Sequence, residues 1–400
     1  MVLLQNIFKG IEIALALYFG MSCIYVFIFS VAGHFYKRRD NDTEEELGKF
    51  AVLIPAYKED EVIVEVAKSA LLQQYPPSYF DVVVIADSLK KQTLNNLNRL
   101  QIKVIEVLFE NSTKSKALNA ALDQLDQSYD YALVLDADNI MEPEFLAKIN
   151  KSFRMGYQIV QGHRKAKNLN TPFAILDAAS EAINNHIFRR GHRALGLSSG
   201  LIGSGMAFDY KLFKSIMKQI KAVGGFDKEL EFELAQRNLE IEYLQDAYVL
   251  DEKIQRPAEF SNQRRRWLAT QFVYLKRNFI KGFNELLVNK NINFFDKVWQ
   301  LIIPPRVILL GVTVVLTLIY VFLNFVVKIS TQVPEYVWIS NLIILVSTFI
   351  LALPRSFYRL NTLMAMFSLP TAFFRMFMLL FKLKGANRRF IHTAHSAINN

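Results

Sequence analysis

Two aspartates one residue apart end an apolar run in the segment YALVLDADNI, residues 131–140. Side chains alternate along a β-strand with a period of two, so Asp136 and Asp138 can point the same way where such a strand ends. Two neighbouring carboxylates repel each other unless a cation lies between them. Because hard divalent cations prefer oxygen ligands, the pair indicates a binding site for such an ion.

Four short apolar runs, rich in β-branched residues, alternate with helix-like stretches in this part of the chain. The runs predict strands buried on both faces at residues 50–57, 81–87, 103–109 and 131–138. The stretches between them predict helices at residues 59–74, 91–100 and 114–125. This alternation indicates an α/β fold with a mostly parallel sheet and helices on both faces.

Polar and charged side chains follow all four predicted strands. Tyr57 and Glu59 follow the first strand, Asp87 ends the second, Lys114 follows the third, and the aspartate pair ends the fourth. Ligands bind parallel sheets at the carboxyl ends of the strands, so these side chains are expected to meet at one edge. Taken singly, each of them is also explained by ordinary loop polarity.

Carboxylates, a divalent cation and lysines together suit a nucleoside diphosphate. The cation bridges phosphate oxygens and neutralises their charge, and a lysine adds a point charge to the same oxygens. No G-x-x-x-x-G-K-S/T motif is present, and the first strand does not lead into G-x-G-x-x-G, which argues against P-loop and dinucleotide-binding folds. Nucleic acid is not an expected partner, since no basic stripe is interleaved with aromatic residues.

These features resemble the membrane-bound glycosyltransferases of family 2, the group that includes cellulose, hyaluronan, chitin and poly-N-acetylglucosamine synthases and ceramide glucosyltransferase. The similarity extends from about residue 49 to residue 271, and D-x-D followed some 125 residues later by Q-x-x-R-W is its most specific part. Thr113 stands where the family usually has a glycine. The matching segments are LIPAYKEDE (53–61), NSTKSKALN (111–119), DAD (136–138), GSGMAF (203–208) and QRRRW (263–267).

The resemblance implies a GT-A fold and an inverting reaction, in which an acceptor hydroxyl attacks the anomeric carbon of a nucleotide sugar, usually a UDP-sugar. It implies Mg²⁺ or Mn²⁺ as the cofactor, held by Asp138. Arg266 would reach the diphosphate, Trp267 would stack on the acceptor sugar, and Gln263 would bond the acceptor. The implied donor-binding residues are Tyr57, Glu59, Asp87, Lys114, Asp136, Gly203 and Ser204.

The general base is less well defined, because the usual T-E-D is replaced by GGFDKELEFELAQRN, residues 224–238. A gapless alignment places Asp227 at the base position, and a shift of two residues places Glu229 there. Glu231 is a third candidate. A purely structural alternative for Asp227 is that its side chain caps the start of a helix.

Three long apolar stretches predict membrane spans, at residues 13–33, 307–327 and 336–353, in a 400-residue chain with a net charge of +10. The first predicts a retained anchor, because it is too long for a signal peptide and lacks a basic start. A fourth stretch, 360–381, is interrupted by Pro370 and Arg375, which predicts a bent or interfacial segment. Basic clusters at 37–39 and 382–389 place the central domain on the cytoplasmic side, in a bacterial inner membrane.

An amphipathic helix is predicted after the Q-x-x-R-W motif, with its apolar side toward the bilayer. The apolar positions are Leu268, Phe272, Leu275, Phe279, Phe283 and Leu286. The predicted organisation is an anchor (1–45), a glycosyltransferase domain (46–265), interfacial helices (266–300) and a membrane region (301–400). The tail also has Phe390 and Thr393 in the spacing of the gating segment of processive synthases.

The sequence leaves the acceptor open between a growing polysaccharide and a membrane lipid that receives one sugar. Three predicted spans form only a small membrane region for exporting a polymer, which also leaves open whether the protein forms a homo-oligomer or works with an export partner. A different class of protein, an inactive membrane scaffold with a degenerate transferase domain, is suggested by the missing T-E-D. The lipid bilayer and a nucleotide-sugar donor are partners in both enzymatic alternatives.

Overall fold

The structure is a computed structural model that describes residues 2–38, 46–253 and 257–383. Within them, eight strands form one sheet with the spatial order β3-β2-β1-β4-β7-β6-β8-β5. The strands are β1 (Phe50–Tyr57), β2 (Phe80–Asp87), β3 (Lys103–Val107), β4 (Tyr131–Val134), β5 (Ile140–Met141), β6 (Ile159–Ala166), β7 (Met206–Asp209) and β8 (Glu242–Asp251).

The sheet is mostly parallel, as predicted. β1 pairs in parallel with β2 and β4, as do β2 with β3 and β6 with β8. β7 runs antiparallel to β4 and β6, and β5 runs antiparallel to β8. β4 ends at Val134, so the aspartate pair lies in the turn after the strand and not within it, which corrects the prediction.

The helices in chain order are α1 (Val2–Ala32), α2 (Ile63–Ala70), α3 (Lys91–Leu97), α4 (Lys114–Gln124), α5 (Phe145–Arg154), α6 (Pro172–Asn185), α7 (His192–Ala194), α8 (Tyr210–Met217), α9 (Phe226–Gln236), α10 (Pro257–Leu287), α11 (Ile292–Ile302), α12 (Arg306–Phe322), α13 (Glu335–Ala352), α14 (Leu360–Met366) and α15 (Leu369–Leu379). π-Helical turns at His186–Gly191 and Leu323–Val327 follow α6 and α12. The three helices predicted between the first strands are present but shorter, mainly because the 59–74 stretch forms a helix only at Ile63–Ala70.

Helices cover both faces of the sheet because the strands are apolar on both sides. Along β1, Leu53 packs with residues of α4, α8 and α9, whereas Val52 and Ile54 pack with residues of α2 and α5. Adjacent side chains of a strand point to opposite faces, so one continuous apolar run supplies two cores.

Three described helical segments are long and apolar enough to cross a membrane, at residues 6–35, 306–327 and 335–352. They match the three predicted spans. In the predicted fourth region, α14 and α15 meet at a bend of 43°, in agreement with the predicted interruption. Phe19 and Cys23 of α1 pack with Trp338 and Leu345 of α13 to form a separate apolar core.

The amphipathic helix predicted after the Q-x-x-R-W segment in fact begins before that segment. α10 starts at Pro257 and runs without a break to Leu287. α10 therefore crosses the predicted domain boundary at 265/266, and α11 crosses that at 300/301. Of the predicted apolar face, Leu268 is buried, whereas Phe272, Phe279 and Phe283 are exposed. Leu275, also on the predicted apolar face, instead packs with Tyr274 against residues of α9 and α11.

Candidate active site

One large cleft, about 850 Å³ in volume, lies at the carboxyl ends of β1, β2 and β4. Most of the predicted site residues line it, although they come from segments more than 200 residues apart. They are Tyr57, Glu59, Asp87, Lys114, Asp136, Asp138, Gly203, Asp227, Gln263, Arg266 and Trp267. Ser204 and Glu229 do not line the cleft.

The ends of β1 and β2 form one wall of the cleft. The backbone N–H of Lys58 donates to the carbonyl of Asp87 over 3.1 Å, which holds the two strand ends together. Lys58 and Ser88 both have positive φ, 56° and 57°, in the left-handed region that non-glycine residues rarely adopt. Such backbone conformations persist where surrounding structure fixes them, often at functional sites. Asp87 is buried and accepts a hydrogen bond from the Ser88 hydroxyl.

The start of α4 brings a positive charge to the aspartate pair. The Thr113 hydroxyl caps the helix by accepting from the backbone N–H of Lys116, so this threonine serves where the family usually has glycine. Lys114 then reaches across the cleft, where its Nζ pairs with Asp136 and donates to the carbonyl of Gly203 over 2.6 Å. The lysine thereby joins the D-x-D turn to the loop at 200–205.

Ser204, predicted to bind the donor, lies beneath the cleft wall and bonds the D-x-D turn. Its side chain is fully buried, its hydroxyl oxygen accepts the backbone N–H of Asp136, and the hydroxyl donates to Asn139 Oδ1 over 2.6 Å. Asn139 is also fully buried, and its Nδ2 donates to Asp138 Oδ1 at 3.1 Å and Asp251 Oδ1 at 3.0 Å. Asn139 follows the D-x-D motif directly, yet its role was not predicted.

Asp138 fits a cation that arrives with a substrate. Its carboxylate lines the cleft, only 6% of the residue is exposed, and Asn139 orients one of its oxygens. The described residues contain no group of three or more His, Cys, Asp or Glu side chains that would hold a metal ion without help. Magnesium is typically bound by one or two carboxylates together with substrate phosphates and water, and this donor set has that form.

Asp227 is the one of the three candidate bases that faces the cleft. It is the second residue of α9, whose N-cap is Gly225, so the capping alternative for Asp227 does not hold. Glu229 points away to α10, where it accepts from Arg277 Nη1 at 3.1 Å. Glu231 is buried and accepts the backbone N–H of Leu201 at 2.7 Å, which fixes the 200–205 loop.

Desolvation in the cleft raises the pKa of the Asp227 carboxyl above its usual range, although the charge of Lys228 opposes this rise. Burial lowers the pKa of Arg266, and the nearby carboxylates of Asp227 and Asp136 partly offset the effect. Arg266 therefore lies within electrostatic reach of both Asp227 and the D-x-D turn.

Trp267 and Arg264 form a stacked pair at the wall contributed by α10. The Arg264 guanidinium lies 4.3 Å from the centroid of the indole ring and forms an ion pair with Asp177 of α6. The indole is 40% exposed, so part of it is available to a ligand. Arg265, between them in sequence, donates instead to the carbonyl of Lys382 over 2.7 Å.

A buried group of four charges lines the cleft and was not predicted. Arg164 of β6 and Lys253 both pair with Glu181 of α6, and Lys253 Nζ lies 2.6 Å from Asp251 Oδ2. Burial alone would raise the pKa of Asp251, but Arg164 and Lys253 hold it well below its usual range. No local pattern marks these residues, because the group forms only when β6, α6 and β8 pack together.

Comparison with known proteins agrees with this geometry. Residues 48–270, more than half of the chain, match the family model described as glycosyltransferase like family 2. A protein of Staphylococcus aureus strains Mu50 and MW2, named poly(ribitol-phosphate) β-N-acetylglucosaminyltransferase TarS, is 31% identical over 102 residues. That match covers 24% of this chain and only 18% of TarS, so this chain spans less than a fifth of the relative's length.

Among solved structures, mannosyltransferase PcManGT from Pyrobaculum calidifontis, in complex with GDP-Man and Mn²⁺, is similar with a TM-score of 0.51 and 15% identity. The alignment covers 86% of this chain and 97% of that one. TarS residues 1–349 from S. aureus, in complex with UDP-GlcNAc, align with a TM-score of 0.39 and 16% identity over 82% of this chain and 92% of that chain. At an identity this low, the likeness to PcManGT shows a shared GT-A fold alone.

Proposed function

The chain belongs to glycosyltransferase family 2, and from that premise we propose that it is an inverting, metal-dependent hexosyltransferase acting at a membrane. The donor is a nucleotide sugar, by resemblance a UDP-sugar, and the acceptor is a growing polysaccharide. The observation that carries the proposal is the shared cleft, in which Asp87, Lys114, Asp138, Asp227 and Arg266 all face the same space.

The donor occupies the part of the cleft formed by the strand ends. Asp87 accepts hydrogen bonds from the nucleotide base, beside Tyr57 and Glu59. Lys114 and Arg266 hold the diphosphate, which displaces the Lys114 ammonium from its present partner, Asp136. A divalent cation, Mg²⁺ or Mn²⁺, held by Asp138 supplies further charge neutralisation for the leaving diphosphate when it is bound.

Asp227 acts as the general base. Its carboxylate takes the proton from the acceptor hydroxyl while the hydroxyl oxygen forms a bond to the anomeric carbon. The bond from that carbon to the phosphate oxygen breaks, and its electron pair leaves with the nucleoside diphosphate. The raised pKa of Asp227 makes its carboxylate a stronger base than an ordinary aspartate.

The acceptor enters from the side of the cleft lined by α10. Trp267 packs on the face of the acceptor sugar, and Gln263 bonds it. α10 and α11 line this side, and three described helices are long and apolar enough to cross a membrane, which supports a membrane location. The basic residues that follow α1 support a cytoplasmic catalytic domain. The proposed gating residues Phe390 and Thr393 lie outside the described residues.

A second candidate is the addition of a single sugar to a membrane lipid. The contact of the cleft wall with the helices that could span a membrane favours it, since a lipid headgroup could reach the cleft without leaving the bilayer. The inactive-scaffold alternative is disfavoured, because it does not require Asp227, Arg266 and the D-x-D turn to face one another.

The test is nucleotide release by the purified full-length protein in neutral detergent with Mn²⁺, across a panel of UDP- and GDP-sugars. Mass spectrometry of any elongated lipid or polymer separates the two acceptors. We expect release from UDP-sugars, and none from Asp138→Ala even in excess Mn²⁺. Absence of release from every donor by the wild-type protein would overturn the proposal in favour of the scaffold.

A further inference from the structure

Three arginines gather where the cleft meets the helices that could span a membrane. Arg189 lies in the π-helical turn that packs against α1, and it lines the cleft while being only 5% exposed. Arg264 of α10 also lines the cleft. Arg306 is the first residue of α12 and lies behind Ser180, a residue of the cleft wall.

The carboxylates near this group are already paired with other cations. Asp177 pairs with Arg264. Glu181 pairs with Arg164 and Lys253. Neither Arg189 nor Arg306 forms an ion pair with a carboxylate in the part of the chain that the structure describes. Glu181 and Glu231 attract Arg189 only from beyond contact distance, and both are paired with lysines.

Neutral groups provide only partial contacts for these two guanidinium groups. Arg189 donates to the carbonyl of Gly200 at 3.0 Å and to Asn185 Oδ1 at 2.9 Å. Arg306 donates to the carbonyl and hydroxyl of Ser180 at 2.7 and 2.9 Å, but its Nη1 is buried and meets no acceptor among the described residues. The charges of Arg264 and Arg189 also repel that of Arg306.

Like charges in a desolvated wall are costly unless an anion joins them. The donor diphosphate already has its own cations in Lys114 and Arg266, beside the D-x-D turn. The remaining charges lie on elements that pack with α1 and α12, and the start of α12 adds the positive end of a helix dipole. A second anion would therefore reach the cleft from the bilayer.

We propose that the membrane-side end of the cleft binds a phosphate group borne by a lipid acceptor, with Arg189 as the direct contact and Arg264 and Arg306 adding to the positive field. This inference rests on the second candidate of the proposed function, in which the acceptor is a membrane lipid, and it names the chemical class of that lipid. It favours a phosphorylated lipid over an uncharged one.

The test is binding of dioctanoyl phosphatidic acid to the full-length protein in neutral detergent, with no sugar donor, and dioctanoylglycerol as the partner lacking the phosphate. We expect saturable binding of the phosphate lipid at least ten times tighter than that of the alcohol. Arg189→Gln and Arg306→Gln should each reduce this preference at least fivefold, and Arg189→Lys should restore part of it. The preference is a ratio measured on one preparation, so partial misfolding does not change it.

The matched control is Arg265→Gln, a neighbouring arginine that bonds the Lys382 carbonyl and does not line the cleft. It should keep the wild-type preference. Equal affinity for both lipids, or an unchanged preference in Arg189→Gln and Arg306→Gln, would overturn the inference. If glycerol 3-phosphate binds as tightly as the phosphate lipid, the lipid chains do not contribute to binding. That result would overturn the proposal of a lipid-borne phosphate and assign the site to a soluble phosphorylated acceptor. Phosphate binding without any sugar transfer would reject the proposed function and leave the anion site standing.

Discussion

Asp227 and Glu229 lie two residues apart on α9 but have different surroundings. Asp227 faces the cleft, whereas Glu229 is buried against α10 beside Arg277 and Tyr274. Residues two apart on a helix point about 200° apart around its axis, so only one of them can face a given ligand. The difference between the two residues follows from helical geometry and is open to direct test.

Replacing Asp227 by asparagine should lower kcat by about 10² to 10⁴, the usual contribution of general-base catalysis, because the amide cannot accept the hydroxyl proton. Donor affinity should stay nearly unchanged, since the residue is not assigned to the diphosphate. Glu229→Gln is the matched control and should keep kcat within about threefold while lowering stability by about 1 kcal/mol. Steady-state nucleotide release and thermal unfolding measure both effects, and loss of activity in Glu229→Gln alone would transfer the base role to Glu229.

The pH dependence of activity should report the raised pKa of Asp227. Desolvation favours the protonated carboxyl, so activity should fall with decreasing pH from a value above the ordinary aspartate pKa of about 3.9. The raised pKa of Asp227 also lowers the stability of the folded protein at neutral pH. The folded state favours the protonated carboxyl, so ionisation costs folding free energy as the pH rises above the unfolded pKa. Asp227→Asn should therefore be more stable than wild type at pH 7 although its kcat is lowered. Equal or lower melting temperature of this variant would contradict the assignment.

At the scale of elements, the sequence predicted the parts of the fold that local pattern determines. β1 has its predicted bounds, because an eight-residue run of apolar and aromatic residues leaves little choice of register. The later strands β5 to β8 were not predicted. β5 and β7 have four residues or fewer and take their conformation from their neighbours, whereas β6 and β8 mix polar and charged residues with apolar ones and so lack a continuous apolar run. The motifs predicted which residues line the cleft, but not that Ser204 lies beneath it, which depends on the neighbouring turn.

The contact between α9 and α10 should be essential, because it positions Asp227. Gly225 begins α9 with φ of 72°, and a Cβ there would lie 2.3 Å from Thr270 Cγ2 of α10. Gly225→Ala should therefore lower stability by about 3 kcal/mol, from positive-φ strain and overpacking together, and reduce kcat. Gly156, with φ of 90° and no atom within 4 Å of its Cβ position, is the matched control for strain alone. Gly156→Ala should lose only about 1 kcal/mol and keep kcat, and equal losses in urea unfolding would show that the contact is unimportant.

The buried charges that join β6, α6 and β8 should give the protein an acid-sensitive stability. Burial alone would raise the pKa of Glu181, but Arg164 and Lys253 hold it below its usual range. The resulting stabilisation is complete above the unfolded carboxyl pKa of about 4.3 and is lost as the pH falls through the lowered value. Glu181→Gln should cost about 3–5 kcal/mol at pH 7, because two buried cations lose a partner, and should flatten the decline in acid.

Glu240→Gln is the control for that variant. Glu240 pairs with Arg193 at 2.9 Å, but half of its side chain is exposed, so the loss should be at most about 1 kcal/mol. Thermal unfolding between pH 3 and 7 measures both variants. Equal losses of stability at the two positions would mean that burial does not strengthen the contribution of the cluster to the free energy of unfolding.

For the whole molecule, the sheet and the apolar helices form one connected structure. Tyr25 of α1 donates to Asp296 of α11 at 2.5 Å, and the fully buried His192 lies 2.9 Å from the same tyrosine. Gln300, one turn further along α11, donates to Asp296 at 2.8 Å and lines the cleft. The position of α1 is thus linked through α11 to the wall of the site.

The proposed orientation in the membrane can be tested with the single native cysteine left in place. Cys23 is fully buried in α1 and should give little background with a membrane-impermeant maleimide. Ser330 lies in the exposed link between α12 and α13, and Gln127 lies in an exposed loop of the sheet domain. Because basic residues flank the sheet-domain end of α1, the positive-inside rule places Gln127 in the cytoplasm and Ser330 outside. Ser330→Cys should be labelled in intact cells, and Gln127→Cys should be labelled only after permeabilisation. Labelling of Gln127→Cys in intact cells would contradict the proposed orientation, because it would place the nucleotide site on the wrong side of the membrane for a cytoplasmic sugar donor.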